Sequence, residues 1–192
     1  MTRIIAGAAR GRRLAVPDGR TTRPTSDRAR EGLFSALDAA VGGLAGLRVL
    51  DLYAGSGAVG LEALSRGAAA ALLVESDRAA ARVVRGNLEA LGLRGGRVSA
   101  DRAERLAATQ CPDDPYDVVF LDPPYALAAK DLAAVLTALA GHGWIADGAL
   151  VAVERSSRDP QWAWPQGFEP LRSRAYGEGT VWYGRRRAPV VG

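Results

Sequence analysis

From residue 48 onward the apolar positions fall into two rhythms that alternate along the chain. Short, nearly continuous runs such as Arg48-Val49-Leu50-Asp51-Leu52-Tyr53 and Ala71-Leu72-Leu73-Val74-Glu75 give way to longer stretches with apolar residues three and four apart. The first kind reads as strands buried on both faces, the second as helices that turn one stripe to a core. The pattern predicts strands at 48–53, 71–75, 97–100, 117–121 and 149–154, and helices at 57–66, 77–91, 102–109 and 128–140. Strands separated by helices imply a doubly wound α/β fold with a mostly parallel sheet. Two closing runs, 168–176 and 180–186, flank Gly177-Glu178-Gly179 and predict an antiparallel hairpin.

The N-terminus departs from this rhythm. Residues 3–6 and 12–16 predict two short strands around a turn at 7–11, and Pro17-Asp18-Gly19 predicts a further turn before an extended linker at 20–24. A helix is expected to begin after Ser26, with Asp27 in its electropositive first turn, and to run to about Ala40, with Gly42 and Gly43 ending it. Leu33, Phe34, Leu37 and Val41 give it one apolar face. Two units follow: residues 1–24 as a basic extension and 25–192 as the α/β domain.

Charge changes this picture at one end only. Residues 1–30 hold eight arginines against Asp18 and Asp27, whereas the rest of the chain holds 17 basic and 19 acidic side chains. The net charge of +4 therefore originates in the N-terminal segment, as expected of a nucleic-acid contact. All but Lys130 of the 25 basic residues are arginine, whose planar fork suits phosphate and base stacking. At 48% hydrophobic, 192 residues suit one globular domain with an ample core, and no apolar run reaches the roughly 18 residues of a membrane span. The early arginines lack the apolar stretch of a secretory signal, and Cys111 has no partner for a disulfide. These features lead to the expectation of a cytoplasmic, soluble protein without a metal site.

Two loops carry candidate chemistry. In Leu50-Asp51-Leu52-Tyr53-Ala54-Gly55-Ser56-Gly57-Ala58-Val59-Gly60, three glycines join a strand to a helix at the spacing that permits close approach of a nucleoside cofactor. Glu75 ends the next strand, where a carboxylate can accept from both ribose hydroxyls. Asp51 beside the loop would repel a pyrophosphate but suits an amino group and a sulfonium, which points to S-adenosylmethionine rather than a dinucleotide. Asp101, ending the third strand, is a candidate for the adenine edge.

The second loop is Val118-Val119-Phe120-Leu121-Asp122-Pro123-Pro124-Tyr125, a core strand halted by an acid, two prolines and an aromatic ring. An exocyclic amine on a nucleobase is a poor nucleophile, because its lone pair is delocalised into the ring. Hydrogen-bond acceptors that grip its N–H groups and aim the nitrogen supply catalysis by alignment. Asp122 offers a carboxylate, Pro123 a carbonyl without an N–H of its own, and Pro124 stiffens the turn. Tyr125 offers a face for an extruded base. The turn alone leaves guanine and adenine open. Cys111, in a loop rather than at a strand tip, does not suit the covalent route to a pyrimidine carbon, and His142 is expected in solvent.

Arg-Ile-Ile-Ala-Gly at 3–7, Arg-Pro-Thr-Ser-Asp-Arg-Ala-Arg-Glu at 23–31, the glycine loop, Val118–Tyr125 and Tyr-Gly-Glu-Gly-Thr-Val-Trp-Tyr at 176–183 together resemble the RsmD family of bacterial 16S rRNA guanine-N2 methyltransferases. The resemblance extends from Arg3 to about Tyr183. It implies the seven-stranded class I methyltransferase fold, S-adenosylmethionine as cofactor, and a guanine that the family's name places at position 966. It also implies 16S rRNA within a partly assembled small ribosomal subunit as the partner. Carried over, Asp51, Tyr53, Gly55, Ser56, Gly57, Glu75, Ser76, Asp101 and Thr25 would hold the cofactor. Asp122, Pro123, Pro124 and Tyr125 would hold the target amine and base. Arg3, Arg10, Arg12, Arg13, Arg20, Arg23 and Arg28 would face RNA. Gly32 and Ser35 depart from the alanine and asparagine expected in that helix. The rival readings are a DNA or RNA adenine-N6 methyltransferase, a non-catalytic rRNA-binding assembly factor and, more distantly, a nicotinamide dehydrogenase. A monomer is expected.

Overall fold

The computed structural model describes residues 2–17 and 27–188. The expected linker at 20–24, with Arg20 and Arg23, and also Thr25, lie outside the described residues, whereas the first helix starts at Asp27 as expected. Seven strands form one sheet: β3 (Arg48–Leu52), β4 (Ala70–Val74), β5 (Gly96–Ser99), β6 (Tyr116–Leu121), β7 (Ile145–Ser156), β8 (Phe168–Tyr176) and β9 (Gly179–Arg186). Their order across the sheet is β5-β4-β3-β6-β7-β9-β8. Neighbours from β5 to β7 run parallel, whereas β9 is antiparallel to both β7 and β8. The expected doubly wound sheet and closing hairpin are thus both present.

Period-two alternation divides the strands between two cores. Val49, Leu73, Val118, Phe120 and Ala152 pack with α1 (Asp27–Val41), α2 (Ala58–Ser65) and α3 (Arg78–Leu91). Leu50, Val74, Val119, Leu121 and Val153 pack on the other face with α4 (Ala103–Ala107) and α5 (Ala129–Gly141). Asp77 starts α3 by accepting from Ala80 N–H at 2.8 Å, and Gly92 ends it in the left-handed conformation. Arg172 and Arg185 on the closing hairpin donate to the α1 carbonyls of Ala36 and Ala40, both at 3.2 Å. Gly32 has a steric cause: a Cβ there would lie 2.5 Å from Cε1 of Tyr176.

Two expectations need correction. Strand β7 has twelve residues rather than six. Asp147-Gly148 looks like a turn in sequence, but Gly148 at φ 77° and a register shift between Tyr116 and Val118 let the strand continue through a bulge. The N-terminal hairpin is shorter than 3–6 and 12–16, with only β1 (Thr2–Arg3) and β2 (Arg13–Leu14) paired as strands. The cause is competition for backbone donors. Ile5 and Ala6 give their N–H groups to the Glu62 carboxylate on α2, at 2.7 and 2.9 Å.

The N-terminal segment is fastened at further points. Ala9 N–H donates to Ser65 Oγ, and Asn87 on α3 accepts from Ala15 N–H while donating back to the Ala15 carbonyl. Ile4, Ala9 and Leu14 are buried with α1 and α2. Glu62 is wholly buried and also accepts from Arg66 Nε at 2.9 Å. Glu62→Ala should orphan two backbone donors and leave Arg66 with Asp38 as its remaining acid, lowering stability by roughly 3 kcal/mol. Denaturant unfolding reads the loss, and hydrogen exchange should show it concentrated at Ile5 and Ala6.

Candidate active site at the carboxyl ends of the parallel strands

Strand register brings the candidate chemistry together. Leu52 pairs with both Val74 and Leu121, and Leu121 pairs with Val153, so these four residues form one rung across β4, β3, β6 and β7. The next residues are Glu75, Tyr53, Asp122 and Glu154. β3, β4 and β6 end at this rim, whereas β7 runs on to Ser156, and Asp51 lies two residues below Tyr53. Between β3 and β6 the chain order reverses, which opens a crevice in sheets of this kind.

On the β3–β4 side, Tyr53 turns the chain out of the sheet at φ 61°, the only positive φ at a non-glycine among the described residues. Gly55 (φ 60°) and Gly57 (φ 79°) carry the loop into α2. Glu75 is 1% exposed and anchors this loop: Oε2 accepts from Gly55 N–H at 2.9 Å, and Oε1 from Asp77 N–H at 2.8 Å. Asp51 is equally buried and accepts from Gly60 N–H, a first-turn donor of α2, at 2.8 Å. Burial pushes its carboxyl up to about 7, with Asp122 and Glu75 adding repulsion and the Gly60 N–H opposing. Gly60 allows this packing, since a Cβ there would lie 2.7 Å from the Leu73 side chain.

The remaining expected cofactor residues differ in exposure. Tyr53 donates its hydroxyl to Glu104 Oε1 at 3.2 Å, and burial with that carboxylate raises the phenol. Ser56 is half-buried and Ser76 exposed. Asp101 is half-buried, accepts from Arg102 N–H and faces Arg105 at 3.8 Å.

On the β6–β7 side, Asp122 continues the ladder, donating its N–H to the Leu52 carbonyl at 3.4 Å. Pro123 is buried and Pro124 exposed. The Pro124 carbonyl accepts from Leu127 N–H at 2.9 Å, whereas the Pro123 carbonyl has no recorded partner among the described residues. Tyr125 stands out at 51% exposure, and partial burial followed by Glu154 and Asp122 raises its hydroxyl.

Of the candidate RNA residues, Arg3 pairs with Asp27 at 2.7 Å and Arg12 donates to the Ala90 carbonyl at 2.6 Å. Arg10, Arg13 and Arg28 are exposed. His142, expected in solvent, is instead half-buried, with Nδ1 2.7 Å from the Ala107 carbonyl. Among the described residues, no helix is long and apolar enough to cross a membrane and no acid, His or Cys cluster has the form of a metal site.

Sequence reasoning missed two residues. Glu154 reaches the same rung as Asp122, and its signal was the lone acid after Leu150-Val151-Ala152-Val153. Asn87 ties the Ala15 backbone to the glycine loop by also donating to the Ser56 carbonyl at 3.2 Å. No local motif announces that long-range contact.

Comparison with known proteins agrees with this geometry. The family model described as conserved hypothetical protein 95 matches residues 2–185. Ribosomal RNA small subunit methyltransferase D of Escherichia coli K12 is 43% identical over 152 residues, which span 79% of this chain and 73% of that protein. The chain belongs to the ribosomal RNA small subunit methyltransferase D family. The solved structure of the yhhF methyltransferase-like protein of Escherichia coli superposes with a TM-score of 0.84 at 37% identity, covering 97% of this chain and 98% of that one. Magnesium protoporphyrin IX methyltransferase from Synechocystis, solved with S-adenosylmethionine bound, is 16% identical. It has a TM-score of 0.64 over 83% of this chain and 78% of its own, a likeness of fold. The resemblance of the RsmD motifs and the class I methyltransferase fold are thereby both established.

The buried acid gives a pH test. Asp51 holds a proton in the native state up to about pH 7, against an ordinary 3.8. Its contribution to stability is complete below the lower value and is lost as pH rises through the upper one. Asp51→Asn keeps an acceptor for Gly60 N–H without the charge. Its stability relative to wild type should therefore rise by roughly 1–3 kcal/mol between pH 5 and pH 8.5, measured by denaturant unfolding.

Proposed function

We propose that this protein transfers a methyl group from S-adenosylmethionine to the exocyclic N2 amine of a guanine in 16S rRNA. The observation that carries the reading is the placement of Glu75 with the glycine loop on one side of the reversal point, and Asp122 to Tyr125 on the other. The family membership supports ribosomal RNA as the substrate class. The residues present fit the cofactor: a loop with two left-handed glycines permits close backbone approach, and the surrounding acids suit sulfonium and ammonium charge. When bound, S-adenosylmethionine supplies an electrophilic methyl group on sulfur.

Glu75 would accept from the ribose hydroxyls, Asp101 would meet the adenine edge, and Gly55, Ser56 and Gly57 would line the nucleoside. Asp51, Tyr53, Ser76 and Thr25 complete the proposed set, with Asp51 acting chiefly through the α2 terminus. Asp122 and the Pro123 carbonyl would take the two amine hydrogens and aim the nitrogen lone pair at the methyl carbon. Rigidity matters, because the turn must hold acceptors rather than collapse onto them. Tyr125 would stack on the extruded base.

Residues 1–24 would form the RNA-contacting extension, with exposed Arg10 and Arg13 joined by Arg28 on the domain. The partner is read as a partly assembled small subunit, and the protein as a cytoplasmic monomer. Incubation with labelled S-adenosylmethionine and unmodified small subunits, followed by mapping of the methylated nucleotide, tests the reaction. Asp122→Ala should lower single-turnover methyl transfer by about a thousandfold while cofactor affinity changes less than about threefold. Normal turnover by that variant, or methyl found on adenine, would sink the reading.

A further inference from the structure

We infer that Glu154 selects guanine by accepting its ring N1–H, beside the amine held by Asp122 and Pro123. The inference rests on the methyl-transfer reading above and names which edge of the base that site accepts. Glu154 follows Val153, the partner of Leu121, so its carboxyl is the neighbour of Asp122 across two strands about 4.8 Å apart. It is half-buried, yet it makes no recorded hydrogen bond or ion pair with any described residue. Other rim acids differ: Asp51 and Glu75 both accept backbone N–H groups. Neither of its oxygens is among the sealed, unpaired side-chain atoms of the described residues, so this carboxyl stays open to an incoming donor.

The surroundings hold this side chain rather than satisfy it. Gly179 on β9 lies under it, and a Cβ at that position would fall 2.5 Å from Glu154 Oε1. Asp122 and Tyr125 both interact electrostatically with it from the β6 side. Burial, then Asp122, pushes its carboxyl up to about 8, which limits the build-up of two adjacent negative charges at neutral pH. An N–H donor arriving there favours the ionised form.

Nucleobase chemistry identifies the guest. Beside its amine, guanine presents a ring N–H, and three acceptors (Asp122, the Pro123 carbonyl and Glu154) match its N2–H and N1–H donors. Beside its amine, adenine presents an N1 lone pair, which an ionised Glu154 repels. Such a site discriminates by leaving a polar group unpaired with the wrong base. The turn grips an amine, and the neighbouring strand decides which base may carry it.

The test compares guanine with 2-aminopurine at the mapped target position of small-subunit rRNA. 2-Aminopurine keeps the amine but has an N1 lone pair in place of N1–H. At about pH 8.5, where Glu154 is mostly ionised, wild type should methylate guanine at least about 30-fold faster than 2-aminopurine. Glu154→Gln offers an amide donor to the lone pair. It should compress that preference to within about threefold, by slowing guanine and speeding 2-aminopurine, with cofactor affinity unchanged. Gly179→Ala keeps both acids but displaces the Glu154 carboxyl, and should slow guanine without speeding 2-aminopurine. Equal wild-type rates on the two bases, or an undiminished preference in Glu154→Gln, would overturn the inference while leaving methyl transfer intact. Failure of wild type to methylate guanine would overturn the parent reading as well.

Discussion

Like-charge repulsion at the sheet rim is the constraint on which this site depends. Register sends Glu75, Asp122 and Glu154 to one level and Asp51 just below it, all on the face occupied by α1, α2 and α3. Water would screen such a cluster, but two of its members are 1% exposed. Backbone donors relieve part of the strain: Gly55 and Asp77 serve Glu75, and Gly60 serves Asp51. Protons relieve another part, since Asp51 and Glu154 are pushed up to about 7 and 8. The rim is thus poised to receive cationic charge on one side and N–H donors on the other.

This arrangement explains why the glycine loop is held from several directions. Glu75 binds its first glycine from β4, Asp51 binds the helix that follows it, and Asn87 binds the Ser56 carbonyl from α3. Asn87 also holds both polar groups of the Ala15 backbone, and Glu62 on α2 holds Ile5 and Ala6. The basic N-terminal segment is therefore fastened to the two helices that flank the cofactor loop. An RNA contact made there would bear on elements that shape the loop.

Alternation along the chain was enough to read the strands, their parallel order and the closing hairpin, because β3, β4 and β6 at the centre of the sheet are buried on both faces. The tips were legible for a related reason: an acid after four apolar residues is conspicuous in Asp122 and in Glu75. Glu154 has the same signature but lacks a proline turn to draw attention, and its meaning depends on a register between β6 and β7 that no local pattern gives. The N-terminal strands were overestimated because β-propensity cannot foresee that Glu62, 56 residues from Ala6, takes the donors a ladder would need. The start of β7 before residue 149 was not legible, since Asp147-Gly148 suits a turn as well as a bulge.

The central claim is that charge at this rim is matched to the guest, and proton linkage reads it directly. Calorimetric titration at pH 7, repeated in buffers of different ionisation enthalpy, counts the protons released when a cofactor binds. S-Adenosylmethionine carries a sulfonium, whereas S-adenosylhomocysteine has a neutral thioether in its place. With Asp51 about half protonated at that pH, the sulfonium form should expel roughly half a proton, and the thioether form distinctly less. Equal release by the two, or none by either, would contradict the account.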